Sequence, residues 1–222
     1  MRSHFLNAIY LITASVFMDG FDGTIARLTK TESDFGVQLD SLVDAVTFGL
    51  VTAVLIYKWG FEGSFFQLGP VIGFIFLSSG IIRLARFNIL KEANAFPANI
   101  FVGLPIPFGA LAICSMVLIF LHRPPTSRIG VLLFSLYSIL ISLLMISTIR
   151  YKTIKKFLLK NSLKTLLAMA GAVALLVMYP HYAIPVITYA YVLSPILFFF
   201  TGRRRRGVES GVEAKSAEPA KP

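Results

Sequence analysis

Cysteine, histidine, tryptophan and charge are all scarce in this chain of 222 residues. A single cysteine, Cys114, excludes an intrachain disulfide or a thiolate metal site, and its apolar surroundings mark it as a small buried hydrophobe. The three histidines, His4, His122 and His181, fall near the ends of apolar segments without metal-ligand spacing and are read as interfacial. Charged residues make up 14% of the chain, against roughly a quarter in soluble domains. With 56% hydrophobic residues there is too little polar surface to coat a globule. That excludes a soluble enzyme, a disordered chain and a nucleic-acid-binding domain.

What is present is a series of apolar blocks long enough to cross a bilayer, at about 20 residues per helix. Seven can be drawn, over residues 5–27, 35–57, 66–90, 104–121, 129–149, 163–179 and 184–201. The chain therefore reads as an all-α, polytopic transmembrane bundle occupying residues 1–202. Breaks fall at Lys58-Trp59-Gly60, Arg123-Pro124-Pro125 and Tyr179-Pro180-His181, and Pro105 and Pro107 suit a first helical turn. The net charge of +10 follows from topology. With the N-terminus outside, 17 of the 21 basic residues lie on the inner side, including Arg150, Lys152, Lys155, Lys156, Lys160 and Lys164. This predicts a multi-pass protein of the plasma (cytoplasmic) membrane. Residues 203–222 open with Arg203–Arg206, a headgroup anchor, and continue as a small, polar tail expected to be disordered.

Acidic residues are distributed unevenly. All five aspartates lie between residues 19 and 44, and the last four apolar segments contain no acidic residue. A carboxylate inside a membrane helix costs several kcal/mol unless it is paired or bound to a cation. At about 100° per residue, Asp19, Asp22, Gly23 and Ala26 share one face of the first helix, and Gly36, Asp40 and Asp44 fall within roughly 80° on the second. The connection from Leu28 to Phe35 is short, so the two helices are expected to be antiparallel neighbours with Asp19, Asp22, Asp40 and Asp44 converging between them. Like charges cannot stay ionised together without cations, and hard oxygens with room for water and phosphate suit Mg²⁺ or Mn²⁺. Two such ions would form a clamp for displacement at phosphorus. The small residues leave room for a phosphorylated ligand.

Residues 19–44 read D-G-F-D-G-T-I-A-R-L-T-K-T-E-S-D-F-G-V-Q-L-D-S-L-V-D. This resembles the signature of the CDP-alcohol phosphotransferase family, D-x2-D-G-x2-A-R-x8-G-x3-D-x3-D, with all eight fixed residues in place. The resemblance implies a dimeric intramembrane bundle that transfers a phosphatidyl or related group from a CDP-linked donor to an alcohol, releasing CMP. It assigns Asp19, Asp22 and Asp40 to the metal that holds the diphosphate, and Asp19, Asp40 and Asp44 to a second ion. Asp44 would also be the general base. Gly23, Ala26 and Gly36 would line the nucleotide pocket beside Asp22, with Arg27 near the phosphates.

Three further stretches are similar to the serine-accepting branch of that family: Arg83-Leu84-Ala85-Arg86-Phe87-Asn88, Phe101-Val102-Gly103-Leu104-Pro105-Ile106-Pro107 and Val46-Thr47-Phe48-Gly49, the last with Thr47 where the branch commonly has Ser. That branch implies CDP-diacylglycerol and L-serine as substrates. Arg83 and Arg86, three residues apart, with Asn88 as a neutral partner, are candidates for the serine carboxylate or the lipid phosphate. Both arginines could instead be snorkelling anchors. Against the family pattern, a membrane helix with a Pro-Asn/Thr/Asn pattern is expected before the aspartate pair, so the chain reads as N-terminally truncated. Other acceptors (glycerol phosphate, inositol phosphate), an archaeal-type lipid donor, a divalent-cation transporter and an inactive scaffold are the competing readings.

Overall fold

A computed structural model of the chain describes residues 2–29, 33–61, 67–92, 100–152 and 178–195; within these, the side chains of residues 2, 21–29, 34, 91, 92, 100, 101, 150 and 152 are not described. The first helix, α1, runs Arg2–Thr29 without interruption. Ser33 then caps α2 (Asp34–Asp44), its hydroxyl accepting from the Gly36 amide at 3.1 Å. The same helical rod continues through a π-helical turn, Ala45–Leu50, into α3 (Val51–Gly60). Next come α4 (Leu68–Glu92), α5 (Ile106–Ile119) and α6 (Arg128–Ile146), followed by α7 over 180–195. Proline acts at the start of α5 as its chemistry allows: Pro105 is the N-cap and Pro107 sits in the first turn.

The helical bundle expected from the apolar blocks is what the structure has. Three described stretches are long and apolar enough to cross a membrane: Phe35–Gly60, Leu68–Leu90 and Arg128–Ile146. The helix Ile106–Ile119 is apolar but shorter. The expected sixth span, 163–179, falls almost wholly outside the described residues, as do the end of the seventh and the 203–222 tail.

The α6 helix shows how the bundle meets its surroundings. Leu132, Leu133, Leu136, Leu140 and Leu143 form its exposed face, whereas Ser138 and Ser142 are buried with Val131, Phe134, Ile141 and Met145. An exposed all-leucine stripe is unfavourable in water but free of penalty in hydrocarbon. The buried serines satisfy themselves by donating one turn back, Ser138 to the Phe134 carbonyl at 2.9 Å and Ser142 to the Ser138 carbonyl at 2.8 Å.

At the centre stands α4, packed against α3, the π-helical turn, α5 and α6. Small residues set its distance from α3: a Cβ on Gly73 would lie 3.1 Å from the Ala53 carbonyl oxygen. Between helices, β1 (Ile100–Val102) and β2 (Arg150–Lys152) form an antiparallel ribbon with Phe101 opposite Tyr151. This ribbon brings the segment before α5 against the segment after α6, an arrangement that the apolar pattern did not indicate.

Candidate active site

Asp19 lies on α1, and Asp40 and Asp44 lie one turn apart on α2. The structure brings the Asp19 and Asp44 carboxyl groups within hydrogen-bonding range of each other, with Asp40 close enough to act on Asp44 electrostatically. Asp19 and Asp44 are half-buried, while Asp40 is exposed. The side chains of Asp22, Gly23, Ala26 and Arg27 lie outside the described residues, although their backbone continues α1. Among the described residues, no group of three or more His, Cys, Asp or Glu is assembled as a closed metal centre. Two carboxyl groups in hydrogen-bonding range nonetheless form a hard-oxygen donor pair whose mutual repulsion a divalent cation would relieve. The donor set therefore fits Mg²⁺ or Mn²⁺.

The backbone of α2 leads into this pair in an unusual way. Asp44 is the last residue before the π-helical turn, and the Val51 amide bonds to the Val46 carbonyl five residues back. A π-helical turn accommodates an extra residue and so re-aims the side chains on its two sides. Asp44 thus faces α1, while Phe48 and Gly49 are buried in the bundle.

The three residues expected at the acceptor make different contacts. Arg83 on α4 is buried at 5% exposure and interacts electrostatically with Asp44 and Asp19. Its guanidinium lies 5.2 Å from the centre of the Phe87 ring. Arg86 turns elsewhere. Its Nη1 donates to the Ile146 carbonyl at 2.7 Å, and its Nη2 donates to those of Ser147 at 2.9 Å and Val102 at 3.1 Å. These are the C-terminal carbonyls of α6 and the end of β1, so Arg86 joins three segments through their backbones. Asn88 donates from Nδ2 to the Ser41 hydroxyl at 2.9 Å, on the aspartate-bearing helix.

The Gly103-Leu104-Pro105 turn is built around the same junction. Gly103 has φ +79°, and a Cβ there would overlap the Met145 carbonyl oxygen and lie 2.8 Å from Arg86 Nη2. Its amide donates to the Ile149 carbonyl at 2.8 Å, and that of Leu104 to the Leu144 carbonyl at 3.0 Å. Gly36, expected in the nucleotide pocket, is exposed and backbone-capped by Ser33. His4, His122 and His181 are exposed, and Cys114 is fully buried.

Sequence reasoning missed Tyr191 and Tyr151. Tyr191, on α7, is buried, stacks on Phe108 at 3.8 Å between ring centres, and lies 5.5 Å from Tyr151 in a second stacked pair. It also interacts electrostatically with Arg83. Tyr151 lies in the ribbon, where burial raises its phenol above the ordinary value of 10. No local motif signals these residues; only the meeting of α5, β2 and α7 assembles the stack.

The CDP-alcohol phosphatidyltransferase family model matches residues 1–141, which include the aspartates, Arg83 and the Gly103 turn. The chain belongs to this family. Curated relatives agree. A CDP-diacylglycerol–serine O-phosphatidyltransferase of Helicobacter pylori is 34% identical over 199 residues, covering 87% of this chain and 79% of the relative. Proteins of the same name from Methanocaldococcus jannaschii and Bacillus subtilis are 41% and 34% identical, over 149 and 155 residues. The first covers 66% of this chain and 64% of the relative, the second 70% and 80%. Tyr191 lies beyond the family match.

Proposed function

We propose that the chain transfers a phosphatidyl group from CDP-diacylglycerol to L-serine, giving phosphatidylserine and CMP. The observation that carries this reading is the meeting of Asp19 and Asp44 from two helices with Arg83 from a third, in a chain similar to serine O-phosphatidyltransferases.

In this reading Asp44 accepts the proton of the serine hydroxyl, whose oxygen then forms a bond to the β-phosphorus as the bond to the CMP oxygen breaks. Asp19, Asp22, Asp40 and Asp44 hold two divalent ions, Mg²⁺ or Mn²⁺. When bound, such ions neutralise the diphosphate and stabilise charge on the entering and leaving oxygens. Gly23, Ala26, Arg27 and Gly36 accommodate the CDP moiety. Arg83 supplies the fixed cation for the serine carboxylate or the lipid phosphate, burial making a point charge there effective. Arg86 is engaged with backbone carbonyls and Asn88 with Ser41. Through these contacts they position the helices around the site. The enzyme works as a homodimer in the plasma membrane with its site towards the cytoplasm.

The test is an assay of the purified chain in detergent with CDP-diacylglycerol, Mn²⁺ and radiolabelled serine, with Asp44→Asn as control. Label in lipid that requires metal and disappears in the variant supports the assignment. Turnover with glycerol phosphate or inositol phosphate but not serine would retain the family chemistry and reject the acceptor.

A further inference from the structure

Among the described residues, the aspartate-bearing helix has a largely exposed apolar face. Along α2, Phe35 is 77% exposed, Leu42 65% and Val43 53%, whereas the same rod beyond the π-helical turn buries Thr52, Ala53, Leu55 and Ile56. Among the described residues, packing is therefore denser along α3 than along α2. Contacts that reach α2 directly bear on how Asp40 and Asp44 are presented.

Two cross-helix relationships link α2 to α4. The α2–α3 rod and α4 are consecutive in the chain and run antiparallel: a Cβ on Gly69 would meet Tyr57, one on Gly73 Ala53, and one on Gly49 Leu77. Asp44 and Arg83 form one rung through their charges. Ser41 and Asn88 form the other, with a 2.9 Å hydrogen bond. From Asp44 to Ser41 the helix descends about 4.5 Å, and from Arg83 to Asn88 α4 climbs about 7.5 Å. The two rungs are thus displaced in the same antiparallel sense, with the longer step on α4. Around the helix, Ser41 stands only about 60° from Asp44. The Ser41 hydroxyl is itself directed, since it donates to the Val37 carbonyl at 3.2 Å. It can therefore receive Asn88 in a defined orientation.

We infer that Ser41 and Asn88 are a positioning pair, a latch that holds the Asp40–Asp44 face towards Asp19 and so sets the affinity for the divalent ion. This deepens the reading above but is tested first without turnover. The probe is Mn²⁺ alone, its binding to the purified full chain followed by electron paramagnetic resonance of the free ion. The variants are Ser41→Val, Ser41→Thr, Asn88→Ala and the double variant Ser41→Val/Asn88→Ala. Valine and threonine have the same shape, so a difference between them isolates the hydroxyl from folding.

Loss of one hydrogen bond predicts a two- to roughly tenfold weaker Mn²⁺ affinity for Ser41→Val and for Asn88→Ala. The double variant should be no worse than either single one, and Ser41→Thr should stay within about twofold of the parent chain. In the serine assay, the Mn²⁺ requirement should rise in parallel while the serine KM holds. Equal behaviour of Ser41→Thr and Ser41→Val, additive losses in the double variant, or a raised serine KM in Asn88→Ala alone would each overturn the latch. The last result would make Asn88 an acceptor ligand. A parent chain silent towards serine but showing the Mn²⁺ pattern would reject the acceptor assignment and retain the latch.

Discussion

Arg86 on α4 donates to the carbonyl oxygen of Ile146, sixty residues further along the chain, at 2.7 Å. With the Ser147 and Val102 carbonyls on its Nη2, it closes the C-terminal end of α6 against β1 and α4. The last carbonyls of a helix have no intrahelical donor, and in an apolar medium they must find one. A planar, permanently charged fork is suited to several at once. The consequence is a division of labour between neighbours: Arg83 faces the aspartates while Arg86 secures the scaffold.

Arg86→Lys should therefore lower stability more than it alters acceptor recognition. An ammonium cannot span the Ile146, Ser147 and Val102 carbonyls, and the loss should be on the order of 2 kcal/mol. Faster thermal inactivation in detergent, with serine KM unchanged in the surviving enzyme, is the expected outcome. A raised KM with unchanged stability would place Arg86 in the acceptor pocket.

Arg83→Lys and Arg83→Gln should do the reverse. The charge next to Asp44 and Asp19 is retained in the first and removed in the second. Initial-rate kinetics should show a moderate rise in KM for lysine and a severe loss of kcat/KM for glutamine, roughly 100-fold, as expected when a buried charged contact is removed.

Asp44→Asn should abolish turnover, by about 10²–10⁴-fold if proton removal is its task. It should also weaken Mn²⁺ binding. Comparing the rate loss with the binding loss at saturating metal separates the two contributions. An asparagine variant with near-normal kcat at high Mn²⁺ would show that Asp44 is a ligand and not the base.

Gly103→Ala should be destabilising by about 1–3 kcal/mol, because φ of +79° is strained for any L side chain and the added methyl meets the Met145 carbonyl. Thermal inactivation half-lives in detergent would report it. Gly20, which would meet nothing within 4 Å, is the natural control for a glycine-to-alanine change.

Tyr191→Phe should retain the stack on Phe108, and hence stability, while Tyr191→Ala loses it. If the hydroxyl matters to Arg83, the phenylalanine variant will still show a raised serine KM. A KM equal to that of the parent chain would assign Tyr191 to packing alone.

The division between sequence and structure follows the range of the interactions. The helical bundle, the breaks between its apolar helices and the placing of Asp40 and Asp44 on one helix were legible because each rests on local pattern. Apolar run length has only one use in a bilayer, and the spacing of Asp40 and Asp44 places them on one helical face wherever that helix lies. The start of α5 was within reach for the same reason, since Pro105 and Pro107 act locally. The partners of Arg83, Arg86 and Asn88 were not legible. All three share one helix within six positions, and helical periodicity places them around the axis without saying what each direction meets. That depended on α6 ending beside Arg86, on Ser41 arriving opposite Asn88, and on α7 bringing Tyr191 to Arg83 from beyond the family match. By itself the sequence determined that carboxylates would gather in a membrane bundle. Tertiary structure decided which cation faces them, because a buried guanidinium turns to whichever fixed oxygens the packing places within its reach.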